Sequence, residues 1–280
     1  MSTAIARLIA EEGLPENYRD IVDQHWRPLS EDIAERYEGR PLIVGINGSQ
    51  GSGKTTLCRF LEALLLEHNQ RAITISLDDI YLTRQERSDL ARDCHPLFAT
   101  RGVPGTHDVA LGQSILDALL DGLPVDLPRF DKAIDDRTSA PTEILTRNDV
   151  ILLEGWCVGA VPQPEAALVA PLNRLEAEDD PDAIWRREIN RRLATDYAEF
   201  FGRIDTLVML EVDRFEAVRA HRELQEQKLA ASRPEGTAVM DGAALDRFMM
   251  HYERLTRWML EEMPARADIV IGIGGDQRPQ

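Results

Sequence analysis

The run Gly48-Ser49-Gln50-Gly51-Ser52-Gly53-Lys54-Thr55 fits G-x-x-x-x-G-K-[ST] in full, and it restricts the fold more tightly than any other feature of the chain. A loop of this kind works between a strand and a helix. The apolar run Leu42-Ile43-Val44-Gly45-Ile46 before it reads as a buried strand, and residues 56–66 after it carry apolar side chains at helical spacing. Glycine lets the backbone wrap a phosphate chain without Cβ clashes. The loop N–H groups and the helix N-terminus then face the anion. The expected phosphate-binding residues are Gly48, Ser49, Gln50, Gly51, Ser52, Gly53, Lys54, Thr55 and Thr56. Lys54 would reach the β- and γ-phosphates of ATP, and the Thr55 hydroxyl would bind Mg²⁺.

Apolar runs at 72–77, 149–153, 206–212 and 269–273 read as further strands, separated by helical stretches such as 109–120, 176–201, 214–230 and 241–263. Alternating strands and helices, with several strands continuously apolar, mean a mostly parallel sheet covered on both faces. The expected fold is thus an α/β P-loop NTPase three-layer sandwich over residues 41–280. Residues 1–40 form an N-terminal helical extension, broken near Pro28. Residues 82–108 are expected to be loop-rich, and 214–240 to form a lid, with Arg222 and Lys228 on its helix.

The 280 residues carry a formal net charge of −17, which disfavours a general nucleic-acid binder because a phosphate backbone would be repelled. Any anionic substrate must be drawn in by a local basic pocket. Cys58, Cys94 and Cys157 are widely spaced and suggest neither a disulfide framework nor a zinc site. No apolar stretch reaches the length of a membrane span, and acidic residues interrupt the short apolar run at the start. The expectation is a cytoplasmic enzyme with no membrane and no obligate protein partner.

In such sheets chemistry gathers beyond the carboxyl ends of the strands. Asp78-Asp79 and Glu154 fall there together with the P-loop. Phosphoryl transfer needs held phosphates, coordinated Mg²⁺ and a positioned hydroxyl. Asp78 is assigned to face the attacking hydroxyl, with Asp79 as the alternative, and Glu154 to face Mg²⁺. The plainer roles are turn formation for the aspartates and a strand-end hydrogen bond for the glutamate.

The chain resembles the D-glycerate 3-kinase family of P-loop kinases, which groups with uridine kinase, phosphoribulokinase and pantothenate kinase. The resemblance rests on 48–56, Asp78-Asp79-Ile80-Tyr81, Arg101-Gly102-Val103-Pro104-Gly105-Thr106-His107-Asp108, Pro128-Arg129-Phe130-Asp131-Lys132, Glu154-Gly155-Trp156, Arg222 and the segment around His251–Thr256. It implies transfer of a phosphoryl group from ATP to D-glycerate, with Asp78 as base and Glu154 as an acidic Mg²⁺ partner. Ile80 stands where the family usually has Phe, and His221 where Trp is usual. A small carboxylate substrate needs a cation, best a forked Arg. The candidates are Arg129 first, then Lys132 and Arg101. Asp79, Tyr81, His107 and Asp108 complete the substrate-binding expectation, although Asp108 would also serve as a helix cap. Arg222 would fold over the transferred phosphate as a lid residue. The open alternative is a kinase of the same fold acting on a nucleoside or pantothenate-like alcohol.

Overall fold

Strands β1 (Leu42–Gly48), β2 (Ala72–Ser76), β3 (Val150–Gly155), β4 (Thr206–Glu211) and β5 (Ile269–Gly272) form one five-stranded sheet in the order β2-β3-β1-β4-β5, with every pairing parallel. The computed structural model describes residues 3–232 and 242–280, with side chains unassigned over 225–232. Residues 233–240 of the lid expected over 214–240, and the Lys228 side chain, lie outside the described residues.

The continuously apolar strands are explained by the two cores they feed. Ile43, Ile151, Leu153, Leu207 and Met209 point to one face, where the helices Val109–Leu120, Ile184–Ala194 and Asp196–Phe201 pack. Leu42, Val44, Ile46, Val150, Leu152, Val208 and Leu210 point to the other, against the P-loop helix Lys54–Glu67. Side chains alternate across a strand, so a strand buried on both faces reads as a nearly continuous apolar run. Ile5, Ile9, Tyr18, Val22, Trp26 and Ile33 of the N-terminal helices join this second core, and Tyr18 stacks on Phe60 at 5.6 Å.

Register decides what meets at the carboxyl edge. Ser76 of β2 and Ile46 of β1 flank Glu154 of β3 on either side. Asp78 follows β2 by two residues, and the P-loop follows β1. Three separate stretches of chain are thereby set side by side.

Three expectations change. Residues 84–93, expected within a loop-rich stretch, form a helix whose start is fixed by a capping box between Thr83 and Glu86. Pro28 does not break the N-terminal helix: a π-turn over Val22–Trp26 precedes the helix Arg27–Glu35 and takes up the register that proline disturbs. The stretch expected to be helical over 176–201 divides at 180–183 and again at Thr195.

Candidate active site

Gly53 caps the P-loop helix in the left-handed region, at φ 89°, a conformation open to glycine at little cost. The first-turn N–H groups that follow have no intrahelical acceptor and face the loop. Lys54 Nζ donates to the Ser49 carbonyl at 3.0 Å across it. The buried hydroxyls of Ser49 and Ser52 have no hydrogen-bond partner, an arrangement suited to an oxyanion.

Asp78 stands on a 3₁₀ turn, Leu77–Ile80, directly after β2. Its Oδ1 accepts from the Tyr81 hydroxyl at 2.8 Å and its Oδ2 lies 2.6 Å from Lys132 Nζ. Burial pushes the Asp78 carboxyl up, but Lys132, Tyr81 and Lys54 outweigh it and hold it at about 2. Glu154 is buried, and burial raises its carboxyl against the pull of Lys54. The Thr55 hydroxyl donates to Glu154 Oε1 at 3.3 Å. Burial lowers the Lys54 ammonium, while Glu154 and Asp78 oppose that shift. Lysine and carboxylates each oppose the loss of charge that burial favours in the other.

These groups line a cleft of about 330 Å³, closed by Tyr81, Arg101, Lys132, Trp156, Arg222 and Tyr252. The Arg101 carbonyl accepts from the Tyr252 hydroxyl at 2.9 Å, and the Gly102 carbonyl from Trp156 Nε1 at 2.7 Å. A Cβ on Gly102 would fall 2.0 Å from the Tyr252 hydroxyl oxygen, so no side chain can stand there. The Arg222 guanidinium lies 5.5 Å from the Phe248 ring centroid.

Other expected residues lie elsewhere. Asp79 accepts from Arg129 Nη1 at 2.7 Å and from Phe130 N at 3.1 Å, so the pair pins a hairpin. Asp79 and Arg129 line a neighbouring cavity of about 520 Å³, which shares Thr55, Asp78, Lys132 and Glu154 with the cleft. Asp108 caps the helix Val109–Leu120 and pairs with Arg137 at 3.1 Å. His107 is buried behind Tyr81, stacked on its ring at 4.7 Å, with Nδ1 2.6 Å from the Tyr197 hydroxyl.

Burial holds the His107 imidazole at about 3, far below its ordinary 6.5. An unfolded chain takes up that proton as pH falls below 6.5 whereas the folded chain does not. Stability present at neutral pH is therefore lost as pH falls from 6.5 toward 3. His107→Gln is expected to flatten this slope by up to about 1.4 kcal/mol per pH unit in denaturant titrations. An unchanged slope would mean that the native imidazole is already protonated.

The sequence compares as the geometry suggests. No family model matches the chain. An uncharacterised kinase of Schizosaccharomyces pombe is 34% identical over 227 residues, covering 77% of this chain and 79% of that protein. The chloroplastic D-glycerate 3-kinase of Arabidopsis thaliana is 31% identical over 224 residues, covering 76% of this chain. This chain spans only 46% of the Arabidopsis protein. The chain belongs to the glycerate kinase-like P-loop kinases. A solved structure of D-glycerate 3-kinase from Cryptococcus neoformans var. grubii shares the fold at a TM-score of 0.74 and 23% identity, over 91% of this chain and 96% of that one.

A glycerate kinase-like P-loop kinase is a phosphotransferase with an alcohol acceptor, and ATP use goes with that membership. Among the described residues no group of three or more His, Cys, Asp or Glu side chains forms a metal cage. Thr55 and Glu154 instead offer a sparse set of oxygen donors, which suits Mg²⁺ because that ion keeps waters and substrate phosphates as ligands. No helix among the described residues is long and apolar enough to cross a membrane. Sequence reasoning did not single out Phe248, Tyr252 or Gln277 for the cleft. Gln277 reaches it from the far end of the chain, where its Nε2 donates to the Gly51 carbonyl at 2.9 Å. Its neighbourhood to the P-loop depends on β5 lying two strands from β1.

Proposed function

We propose that this kinase transfers the γ-phosphate of Mg·ATP to a hydroxyl of D-glycerate, giving 3-phosphoglycerate. One observation carries the reading: Lys54, Lys132 and Arg101 converge with Asp78 in a single cleft of a chain whose net charge is −17. A basic pocket in an acidic protein favours a small anionic acceptor beside the phosphates. Asp78 orients the acceptor hydroxyl and takes its proton as the oxygen attacks the γ-phosphorus. The bond from that phosphorus to the β–γ bridging oxygen breaks, and ADP leaves with the electron pair. Lys54 and Arg222 offset charge on the transferring group. Mg²⁺, held by Thr55 and Glu154, would neutralise the β- and γ-oxygens when bound.

The substrate carboxylate falls to Lys132 and Arg101, because they line the cleft while Arg129 lines only the neighbouring cavity, beside Asp79. Arg101→Lys keeps the charge but loses the fork. It is expected to raise KM for glycerate by about tenfold with ATP binding unchanged, read by steady-state kinetics and calorimetry. Glu154→Gln is expected to raise the Mg²⁺ concentration for half-maximal rate by about 10- to 100-fold. A Mg²⁺ titration with an unshifted midpoint would remove Glu154 from the metal.

The decisive experiment is a coupled ADP-release assay over D-glycerate, glycerol, uridine and pantothenate. Glycerate should give the highest kcat/KM. The second reading, a nucleoside or pantothenate-like acceptor, draws on the aromatic lining by Tyr81, Trp156, Phe248 and Tyr252. Higher kcat/KM for uridine or pantothenate would establish it instead.

A further inference from the structure

Each oxygen of the Asp78 carboxylate already holds a donor: the Tyr81 hydroxyl on Oδ1 at 2.8 Å and Lys132 Nζ on Oδ2 at 2.6 Å. The group placed to receive the acceptor hydroxyl is thus engaged by two protein donors. The donors differ in kind. Tyr81 is buried, with its ring fixed between His107 and Phe130. The Lys132 side chain is 58% exposed and reaches Asp78 from the turn between Phe130–Asp131 and Asp136–Arg137.

That turn is anchored at its base. The guanidiniums of Arg87 and Arg101 both lie over the Phe130 ring, at 5.6 and 5.5 Å from its centroid. Both also pair with Asp135. Arg137 Nε donates to the Tyr81 carbonyl at 2.8 Å. The backbone at Lys132 is held within reach of Asp78, while its long side chain is more than half exposed to solvent.

The three candidate cations also differ in what they would leave behind. Arg129 and Arg101 are compensated by Asp79 and Asp135, neither of which lines the cleft. Lys132 is compensated by the carboxylate assigned to the acceptor hydroxyl. We infer that Lys132 is a positioning residue that reads the acceptor's carboxylate: a carboxylate bound beside Asp78 draws the ammonium away and frees Oδ2 for the hydroxyl. An acceptor without a carboxylate leaves the ion pair closed. Discrimination would then fall on kcat as well as on KM, and the same lysine would bind the substrate and release the base. This rests on the proposed glycerate reading, with Asp78 at the hydroxyl.

The test is steady-state ADP release by the wild type and by Lys132→Gln, with D-glycerate or glycerol as acceptor, each with and without acetate. In the wild type, acetate supplied with glycerol should raise kcat by about fivefold, as expected for opening a half-exposed ion pair. In Lys132→Gln, glycerol should turn over about fivefold faster than in the wild type without acetate, and acetate should no longer matter. KM for glycerate should rise, and the ratio of kcat for glycerate to kcat for glycerol should fall toward one. Equal losses of kcat on both acceptors in the variant, with acetate inert on the wild type, would overturn the inference and leave Lys132 as a fixed part of the site. A wild type inactive on glycerate but active on uridine would overturn the glycerate reading itself, and this inference with it.

Discussion

Lys54→Ala is expected to fold as the wild type does and to lose turnover by about 100-fold or more, as for other preorganised donors aimed at developing charge. The fold should survive because position 54 opens the P-loop helix, where alanine is a good helix former. The side chain donates a hydrogen bond to the Ser49 carbonyl, at 3.0 Å. The chemistry should not survive. Lys54 lines the cleft with Glu154 and Asp78 close by, and in the proposed mechanism it follows charge on the transferring phosphoryl group. A second signature follows from the same geometry. Lys54 pulls the Glu154 carboxyl down against burial, so its removal should raise Glu154 further and weaken that carboxylate as a metal partner. Turnover, nucleotide affinity and melting temperature should be measured together. Near wild-type turnover would refute the P-loop assignment, and a collapse in melting temperature would make the kinetic loss uninterpretable for this variant.

The features that were legible in the sequence have short-range causes. The P-loop is contiguous, and its glycines, lysine and threonine carry their mechanism in their order. The five sheet strands could be found because each is a short, mostly apolar run, and the three central ones are buried along nearly their whole length. Glu154 and Asp78 could be placed at the strand ends because register follows once those strands are parallel. The polar helix Arg84–Asp93 has no apolar stripe; its signal was the Thr83–Glu86 capping box, a pattern that could have been read. Arg129 was expected at the substrate because a forked cation suits a carboxylate. Its sequence neighbourhood does not reveal that Asp79, fifty residues earlier, would pair with it. Tyr252 shows the same limit. It enters the cleft because Gly102, on a distant loop, leaves room for its hydroxyl to reach the Arg101 carbonyl. Such contacts are made by tertiary packing, and no local pattern records them.

Asp78→Asn should lower kcat by about 100-fold or more while leaving Mg·ATP affinity within about threefold, the pattern for losing a group that acts on the acceptor in the transition state. The amide keeps the volume and can still accept from Tyr81, so the pocket should hold its shape. What is lost is the charge. Asp78 is held at about 2, so it is ionised throughout the neutral range, and its proposed role is to orient the hydroxyl and receive the proton late. Wild-type kcat should accordingly show no titration of this carboxylate between about pH 6 and pH 8. Asp79 is less well placed to take over, because it lines the neighbouring cavity rather than the cleft and holds Arg129 and the Phe130 N–H. Asp79→Asn should instead loosen the hairpin that carries Lys132, raising KM for the acceptor more than it lowers kcat. The two variants, compared by full steady-state kinetics on both substrates, separate the adjacent carboxylates. If Asp78→Asn retains wild-type kcat while Asp79→Asn loses it, the base is Asp79, and the hairpin must move to release it.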